Sequence, residues 1–159
     1  MTSTQAQADL HLAPVRPGDI DALLPLVRAF YHHFSYPYTE EKKREALRQL
    51  IADPALGRVW LVHHHASPVG YVLVAFSFSL EHDGRIAFVD ELFIEPEGRQ
   101  RGAGSAVLRE VEAACSALGI PVLRLETEAD NERATALYLR SGYVDHGRRL
   151  LTKKVPRET

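Results

Sequence analysis

The chain has 159 residues, of which 45% are hydrophobic and 25% are charged, and its formal net charge is −2. This length suits one domain with a sizeable core, and a balance without basic excess argues against a nucleic-acid-binding protein. Because no apolar run reaches the roughly 18–20 residues of a membrane span and the N-terminus does not resemble a signal peptide, we expect a cytoplasmic protein without a nucleic-acid or membrane partner.

The hydrophobic pattern alternates between strand and helix periods along the chain. This order describes a mixed α/β domain over residues 10–155, preceded by a disordered polar tail at 1–9. In chain order we predict a strand at 10–16, a helix from Asp19, a helix over 39–53, strands over 58–65, 69–80 and 84–95 with a hairpin turn at 66–68, a helix over 102–118 followed by Gly119, a strand at 121–128, a helix over 131–141, and one or two strands within 143–155.

A loop rich in arginine and glycine precedes the third long helix. Gly102 and Gly104 leave backbone amides uncovered where the first N–H groups of the helix are unpaired. Arg99 and Arg101 add positive charge, so the loop favours a phosphate or pyrophosphate site, although a simple strand-to-helix turn with solvated arginines fits it as well. It is neither a P-loop, which needs a lysine and a hydroxyl, nor a dinucleotide fingerprint, because Val107 replaces the third glycine.

Two motifs in this part of the chain resemble those of the GNAT family of N-acetyltransferases. The spacing Arg99-x-x-Gly102-x-Gly104 is similar to the family loop that holds the pyrophosphate of acetyl-coenzyme A. The resemblance is close over 86–151 and is limited to the order of elements over 10–80. The second motif is matched by Asn131, Ala134, Tyr138, Gly142 and Tyr143.

The resemblance implies a central, mostly antiparallel sheet of six to seven strands with a splayed parallel pair, flanked by about four helices. Acetyl-coenzyme A would enter between the splayed strands, with Leu92–Ile94 on one edge and Glu126–Thr127 on the other. Asn131 also suits a helix N-cap, and both roles can hold together. No metal is implied. The residues expected to bind the coenzyme are Leu92, Phe93, Ile94, Arg99, Gln100, Arg101, Gly102, Ala103, Gly104, Ser105, Asn131 and Ala134.

Three residues are expected to be catalytic: Tyr138, Glu91 and Asp90. Tyr138 corresponds to the family tyrosine near the sulfur, and a phenol of pKa about 10 would stabilise a leaving thiolate of pKa about 8.5 mainly by hydrogen bonding. Packing on a helix face is the alternative for this side chain. The acceptor amine needs a base, and in a regular strand only one of Asp90 and Glu91 can face the cleft. We expect Glu91 as the base or water-holder, with a solvated strand end as the alternative.

The acceptor site is expected beside the first helix, from Phe30, His33, Tyr36 and Tyr38, unless these residues only pack the helix. The Asp90–Glu91 pair resembles, in swapped order, an acidic pair of the spermidine/spermine acetyltransferases. We therefore expect direct acetyl transfer to a small primary amine, either a polyamine or an amino-acid-like compound. A protein or peptide acetyltransferase and a non-catalytic acyl-coenzyme A binding module remain alternatives, and an exposed C-terminal strand would suit a homodimer.

Two further features are interpreted as structural. Cys115 lies within a helical apolar pattern and is expected to be a core residue and not a nucleophile. Of the histidine run 63–65 only His63 and His65 share a strand face, so this run is expected to be solvated and not to bind metal.

Overall fold

The computed structural model describes residues 10–99 and 102–156. The tail expected at 1–9 and the expected coenzyme ligands Gln100 and Arg101 lie outside these described residues. The helices are α1 (Ile20–His33), α2 (Glu40–Ala52), α3 (Ala103–Ala117) and α4 (Glu132–Arg140). The strands are β1 (Leu10–Pro14), β2 (Gly57–His64), β3 (Ser67–Ser79), β4 (Gly84–Ile94) and β5 (Leu123–Leu125).

The strands form one sheet in the order β1–β2–β3–β4–β5. The first four strands pair antiparallel with their chain neighbours, and β5 pairs parallel to β4. A parallel neighbour requires a crossover connection, which α3 supplies. This architecture confirms the predicted mixed α/β class with its mostly antiparallel sheet and four helices.

The sheet separates two apolar clusters that lie on its opposite faces. Along β2, Val59 and Leu61 belong to the cluster that includes α1, whereas Trp60 and Val62 belong to the cluster that includes α3. This alternation follows from the two-residue period of a strand. Cys115 of α3 is buried in the second cluster, as predicted.

Glycines and an asparagine set the ends of α3 and α4. Gly102 precedes α3 with φ +83°, and Gly119 follows it with φ +71°. The side chain of Asn131 accepts the backbone N–H of Ala134 at 3.1 Å and so caps α4, which ends before Gly142 at φ +91°. Positive φ values of this size favour glycine, which explains why the sequence predicts these boundaries well.

The strands predicted within 143–155 are not formed. The described residues 143–156 carry no regular secondary structure, and Val144 and Leu151 are 71% and 90% exposed. The apolar pattern is interrupted by a turn in which the N–H of Gly147, at φ +64°, donates to Asp145 Oδ1 at 2.7 Å. The sheet of the described residues therefore has five strands, where six to seven were predicted.

No helix within the described ranges combines the length and the apolar composition that crossing a bilayer requires.

Close packing of β3 against β4 gives a testable prediction. A Cβ atom on Gly70 would lie 2.2 Å from the backbone oxygen of Phe93, whereas one on Gly84 would meet nothing within 4 Å. Gly70→Ala should therefore lower the free energy of unfolding by about 2 kcal/mol or more, measured by urea denaturation. Gly84→Ala is the matched control and should change it by less than about 1 kcal/mol. Equal effects of the two substitutions would contradict this description of the sheet.

Candidate active site

β4 extends beyond the end of β5 at one end of the sheet. Their parallel pairing ends where Val89 faces Leu125, but β4 continues to Ile94 along β3. Among the described residues, no strand pairs with the β5 side of β4 over 92–94. Glu126–Thr127, expected as the opposite edge, follow β5 and carry no regular secondary structure, so the splayed pair stays a prediction. We call the unpaired end of β4 beyond β5 the fork.

The loop after β4 connects the end of this strand to the start of α3 at the fork. Arg99 Nε donates to the backbone oxygen of Ile94 at 2.7 Å, which ties the loop to the end of β4. Gly102 is the N-cap of α3 and provides no side-chain hydrogen bond to its first turn. A helix end without a side-chain cap can offer its first N–H groups to an anion, and the pyrophosphate site expected at this loop stays a prediction.

Gly104 also lies close to α4. A Cβ atom at this position would lie 2.7 Å from Cδ2 of Leu137. A larger residue would therefore require the end of the Leu137 side chain to shift. This contact stands beside the expected role of Gly104 in the coenzyme loop, which stays a prediction.

β4 carries one extra residue relative to β3. Leu73 of β3 lies opposite Glu91, whereas the next residue, Val74, lies opposite Val89. Asp90 is therefore left without a partner, as in a β-bulge. Neighbouring residues of a regular strand point to opposite faces, so the bulge is what lets Asp90 and Glu91 serve the same site.

Two tyrosine hydroxyls hold Glu91. Tyr31 of α1 donates to its Oε1 at 2.6 Å, and Tyr71 of β3 donates to its Oε2 at 2.7 Å. Burial raises the pKa of the Glu91 carboxyl group, the two phenol hydrogen bonds lower it, and the charge of Asp90 raises it again, with a net upward shift. A carboxylate of raised pKa is a better proton acceptor near neutral pH than an ordinary one.

Lys43 of α2 lies beside this acidic pair. Its Nζ is 3.8 Å from the ring centroid of Tyr31, and its charge lowers the pKa of both Asp90 and Glu91. Partial desolvation of the carboxyl group nevertheless raises the pKa of Asp90, although the residue as a whole is exposed. Across the fork, burial and then the charge of Asp90 raise the pKa of Glu126. Carboxylates that hinder each other's ionisation in this way would be stabilised by a cation entering between them.

Tyr138 lies on α4, C-terminal to the N-cap residue Asn131. It is partly buried, its ring centroid is 5.9 Å from that of Tyr143, and burial raises the pKa of its phenol. The hydroxyl of Tyr143 is buried and has no hydrogen-bond partner among the described residues. Tyr138 therefore stays protonated at physiological pH and can act as a hydrogen-bond donor.

A cleft of about 530 Å³ opens between the end of α1 and the segment after β5. Tyr36 spans it by donating its hydroxyl to Glu128 Oε1 at 2.8 Å. The lining residues are His33, Phe34, Ser35, Tyr36, Glu128, Asp130 and Asn131.

Two of the four expected acceptor residues line this cleft and two do not. His33 and Tyr36 line it. Phe30 is 8% exposed and belongs to the core, because the helical period directs it towards Tyr71 and Phe93 and away from solvent. Tyr38 packs partly buried against the same core. Phe30 therefore packs in the core and does not line this cleft, which agrees with the alternative of helix packing.

Several residues of the site are absent from the sequence-based expectations. Their positions had partial signals: Tyr71 alternates onto the α1 face of β3, and Glu128 follows the carboxyl end of a parallel strand, where ligands are often bound. No signal in the sequence indicated the contacts between elements that bring these residues together. The residues missed are Lys43, Tyr71, Glu128 and Asp130, and the contact of Tyr31 with Glu91 was missed as well.

Within residues 10–99 and 102–156, no three histidine, cysteine, aspartate or glutamate side chains form a group that could hold a metal ion.

Comparison with known proteins gives a consistent family. The model of the acetyltransferase (GNAT) family matches residues 23–143. An uncharacterised N-acetyltransferase of Bacillus subtilis is 24% identical over 136 residues, which cover 86% of this chain and 91% of that protein. The thialysine N-epsilon-acetyltransferase of Bos taurus is 35% identical over 77 residues, 48% of this chain and 45% of that protein.

A solved structure extends the likeness to almost the whole chain. The integron cassette protein from the mobile metagenome of Cole Harbour Salt Marsh superposes with a TM-score of 0.81 at 29% identity. The match covers 99% of this chain and 97% of that one.

Proposed function

The chain belongs to the acetyltransferase (GNAT) family, and from this premise we propose that it transfers the acetyl group of acetyl-coenzyme A directly to the primary amine of a small cationic molecule, a polyamine or an amino-acid-like compound. Membership of the family, together with N-acetyltransferase relatives, makes the protein an acetyl-coenzyme A-dependent N-acetyltransferase. The observation that carries the rest of the proposal is the bulge that brings Asp90 and Glu91 together at the fork.

The fork and the loop suit two parts of acetyl-coenzyme A, its extended arm and its pyrophosphate. The free edge of β4 at 92–94 offers backbone groups to an extended arm, as a neighbouring strand would. The first turn of α3, over 102–105, offers N–H groups and the positive helix end to the pyrophosphate, and Arg99 adds charge. Asn131 can donate from its amide nitrogen, because only its oxygen is used to cap α4.

Proton removal from the acceptor is assigned to Glu91. Acetyl-coenzyme A supplies an activated acyl group in the form of a thioester. An alkylamine of pKa about 10.4 is less than about 0.1% neutral at pH 7, so the acceptor arrives as an ammonium ion. Glu91 accepts one proton from it, directly or through a water molecule. The nitrogen lone pair then forms the new C–N bond while the C–S bond breaks and the sulfur leaves as a thiolate. The nitrogen loses its second proton to solvent, and solvent returns one proton to the thiolate, so that an amide, free coenzyme A and the proton held by Glu91 result.

Tyr138 is assigned to the leaving sulfur. Its pKa is raised by burial, so full proton transfer to a thiolate of pKa about 8.5 is uphill by more than about 1.5 units. We therefore assign to the phenol a hydrogen bond that stabilises the thiolate, with solvent as the final proton source.

The charges around the cleft favour an acceptor that carries more than one positive charge. Glu128 and Asp130 line it, and Glu126 lies near enough to Asp90 for the two charges to interact. A second ammonium group on the acceptor would therefore meet a carboxylate. An amino-acid-like acceptor is also supported by the name of the Bos taurus relative, which places acetylation on the N-epsilon of thialysine.

Removing the Tyr138 hydroxyl tests the catalytic assignment. Tyr138→Phe should lower kcat by about 10- to 100-fold, because a hydrogen bond to a charged group is lost, and should leave coenzyme A binding intact. The measurements are thiol release and thermal unfolding with coenzyme A. Leu139→Ala, at an exposed neighbour on the same helix, should retain activity. A wild-type kcat in Tyr138→Phe would remove the tyrosine from the mechanism, and a protein without turnover on any amine would be a binding module.

A pair of amines of equal length tests the acceptor class. 1,4-Diaminobutane should show a kcat/KM at least about fivefold above that of n-butylamine, the value of one additional ion pair of about 1 kcal/mol. Glu128→Gln should reduce this ratio, whereas Glu132→Gln, the same change on the exposed start of α4, should not. Equal use of both amines, or better use of a lysine-containing peptide, would contradict a small polycationic acceptor.

A further inference from the structure

The hydroxyls that hold Glu91 come from two distant parts of the chain. Tyr31 lies on α1 and Tyr71 on β3, and each donates to a different oxygen of the carboxylate, at 2.6 Å and 2.7 Å. Tyr71 is fully buried, and Tyr31 is partly buried beneath the ammonium group of Lys43. Glu91 is thus held by hydrogen bonds from α1 and β3 and not from its own strand, β4.

We propose that Tyr31 and Tyr71 are positioning residues of the acetyl transfer, which clamp the Glu91 carboxylate through both of its oxygens and so fix the direction from which it receives the acceptor's proton. The inference rests on the proposed function, in which Glu91 is the base. It assigns to the two tyrosines no contact with acceptor or coenzyme.

The geometry limits what Glu91 can do. A carboxylate has about four lone-pair sites on two oxygens, and each phenol occupies one site on a different oxygen. The remaining sites are those at which an ammonium N–H or a bridging water can donate. A flexible glutamate would have to lose rotamer freedom at each turnover, whereas a clamped one has already lost it.

The clamp also controls how readily Glu91 ionises. The groups that face it are Tyr31 from α1, Lys43 from α2, Tyr71 from β3 and Asp90 on β4 itself. Burial and Asp90 oppose ionisation, whereas the two phenols and Lys43 favour it. Loss of either phenol should therefore raise the pKa of Glu91 and leave a smaller fraction of the enzyme with its base ionised at neutral pH.

A purely structural role would be to satisfy two phenol hydroxyls, and a neutral acceptor would do so at a lower desolvation cost than a carboxylate. The presence of an acid at position 91 therefore indicates that its negative charge is used. The two phenols indicate that this charge is controlled.

The test is the pH dependence of kcat/KM in Tyr71→Phe and Tyr31→Phe, at saturating acetyl-coenzyme A. The loss of one hydrogen bond to the carboxylate should raise the pKa of Glu91 by about 1 unit. The midpoint pH of the acid limb should therefore rise by about that amount in either variant. In parallel, the side-chain carboxyl carbon of Glu91 is titrated by ¹³C NMR in the wild type and in Tyr31→Phe. The NMR pKa should coincide with the acid limb in both proteins and rise in the variant.

Three controls separate a positioning role from a structural one. Tyr143→Phe removes a buried phenol hydroxyl of the same size elsewhere and should leave the acid limb in place. Glu91→Gln should abolish the limb, and adding Tyr71→Phe to it should change the pH profile no further. Tyr31→Phe supplies the result if Tyr71→Phe fails to fold, because Tyr31 is less buried.

Two outcomes overturn the proposal. If the phenylalanine variants lose thermal stability but keep the wild-type acid limb, the clamp is only a hydrogen-bonded part of the core. If the NMR pKa of Glu91 does not move in Tyr31→Phe, the phenol does not control the charge. A protein that acetylates no amine would refute the proposed function instead, and the NMR titration would still report on the clamp.

Discussion

Asp90 has no partner across the β3–β4 ladder, and this unpaired position determines what the site contains. Without the extra residue, Asp90 and Glu91 would point to opposite faces of the sheet, and only one could serve the fork. With it, both carboxyl groups lie where β4 leaves β5, next to the free strand edge. The cost is a locally broken ladder, which the long pairing of β3 with β4 on both sides of the bulge offsets.

The site places negative charge where water is partly excluded. Burial raises the pKa of Asp90 and Glu91, and two phenols and Lys43 only partly oppose this. Such an arrangement is poor for stability, because each desolvated carboxylate costs free energy. It suits a reaction whose acceptor arrives as a cation and leaves one proton behind. The same charges that hinder ionisation of the empty site would then be neutralised by the acceptor.

Local signals and long-range contacts explain which features the sequence predicts. The ends of α3 and α4 were predicted because Gly119, Asn131 and Gly142 act through local backbone geometry. The bulge carries no glycine or proline and depends on how β3 pairs, so the sequence left open which acid faces the cleft. The clamp depends on Tyr31 and on a tyrosine of β3 that meet only after folding. The C-terminal strands were predicted wrongly from an alternation that a local turn interrupts.

The proposed function places acetyl-coenzyme A between the free edge of β4 and the first turn of α3. Amide hydrogen exchange, followed by mass spectrometry with and without acetyl-coenzyme A, tests it most directly, because ligand contacts slow the exchange of the amides they cover. Bound acetyl-coenzyme A should protect peptides that contain residues 92–94 and 102–105. Absence of protection there, or protection confined to the cleft segments 33–36 and 128–131, would contradict it.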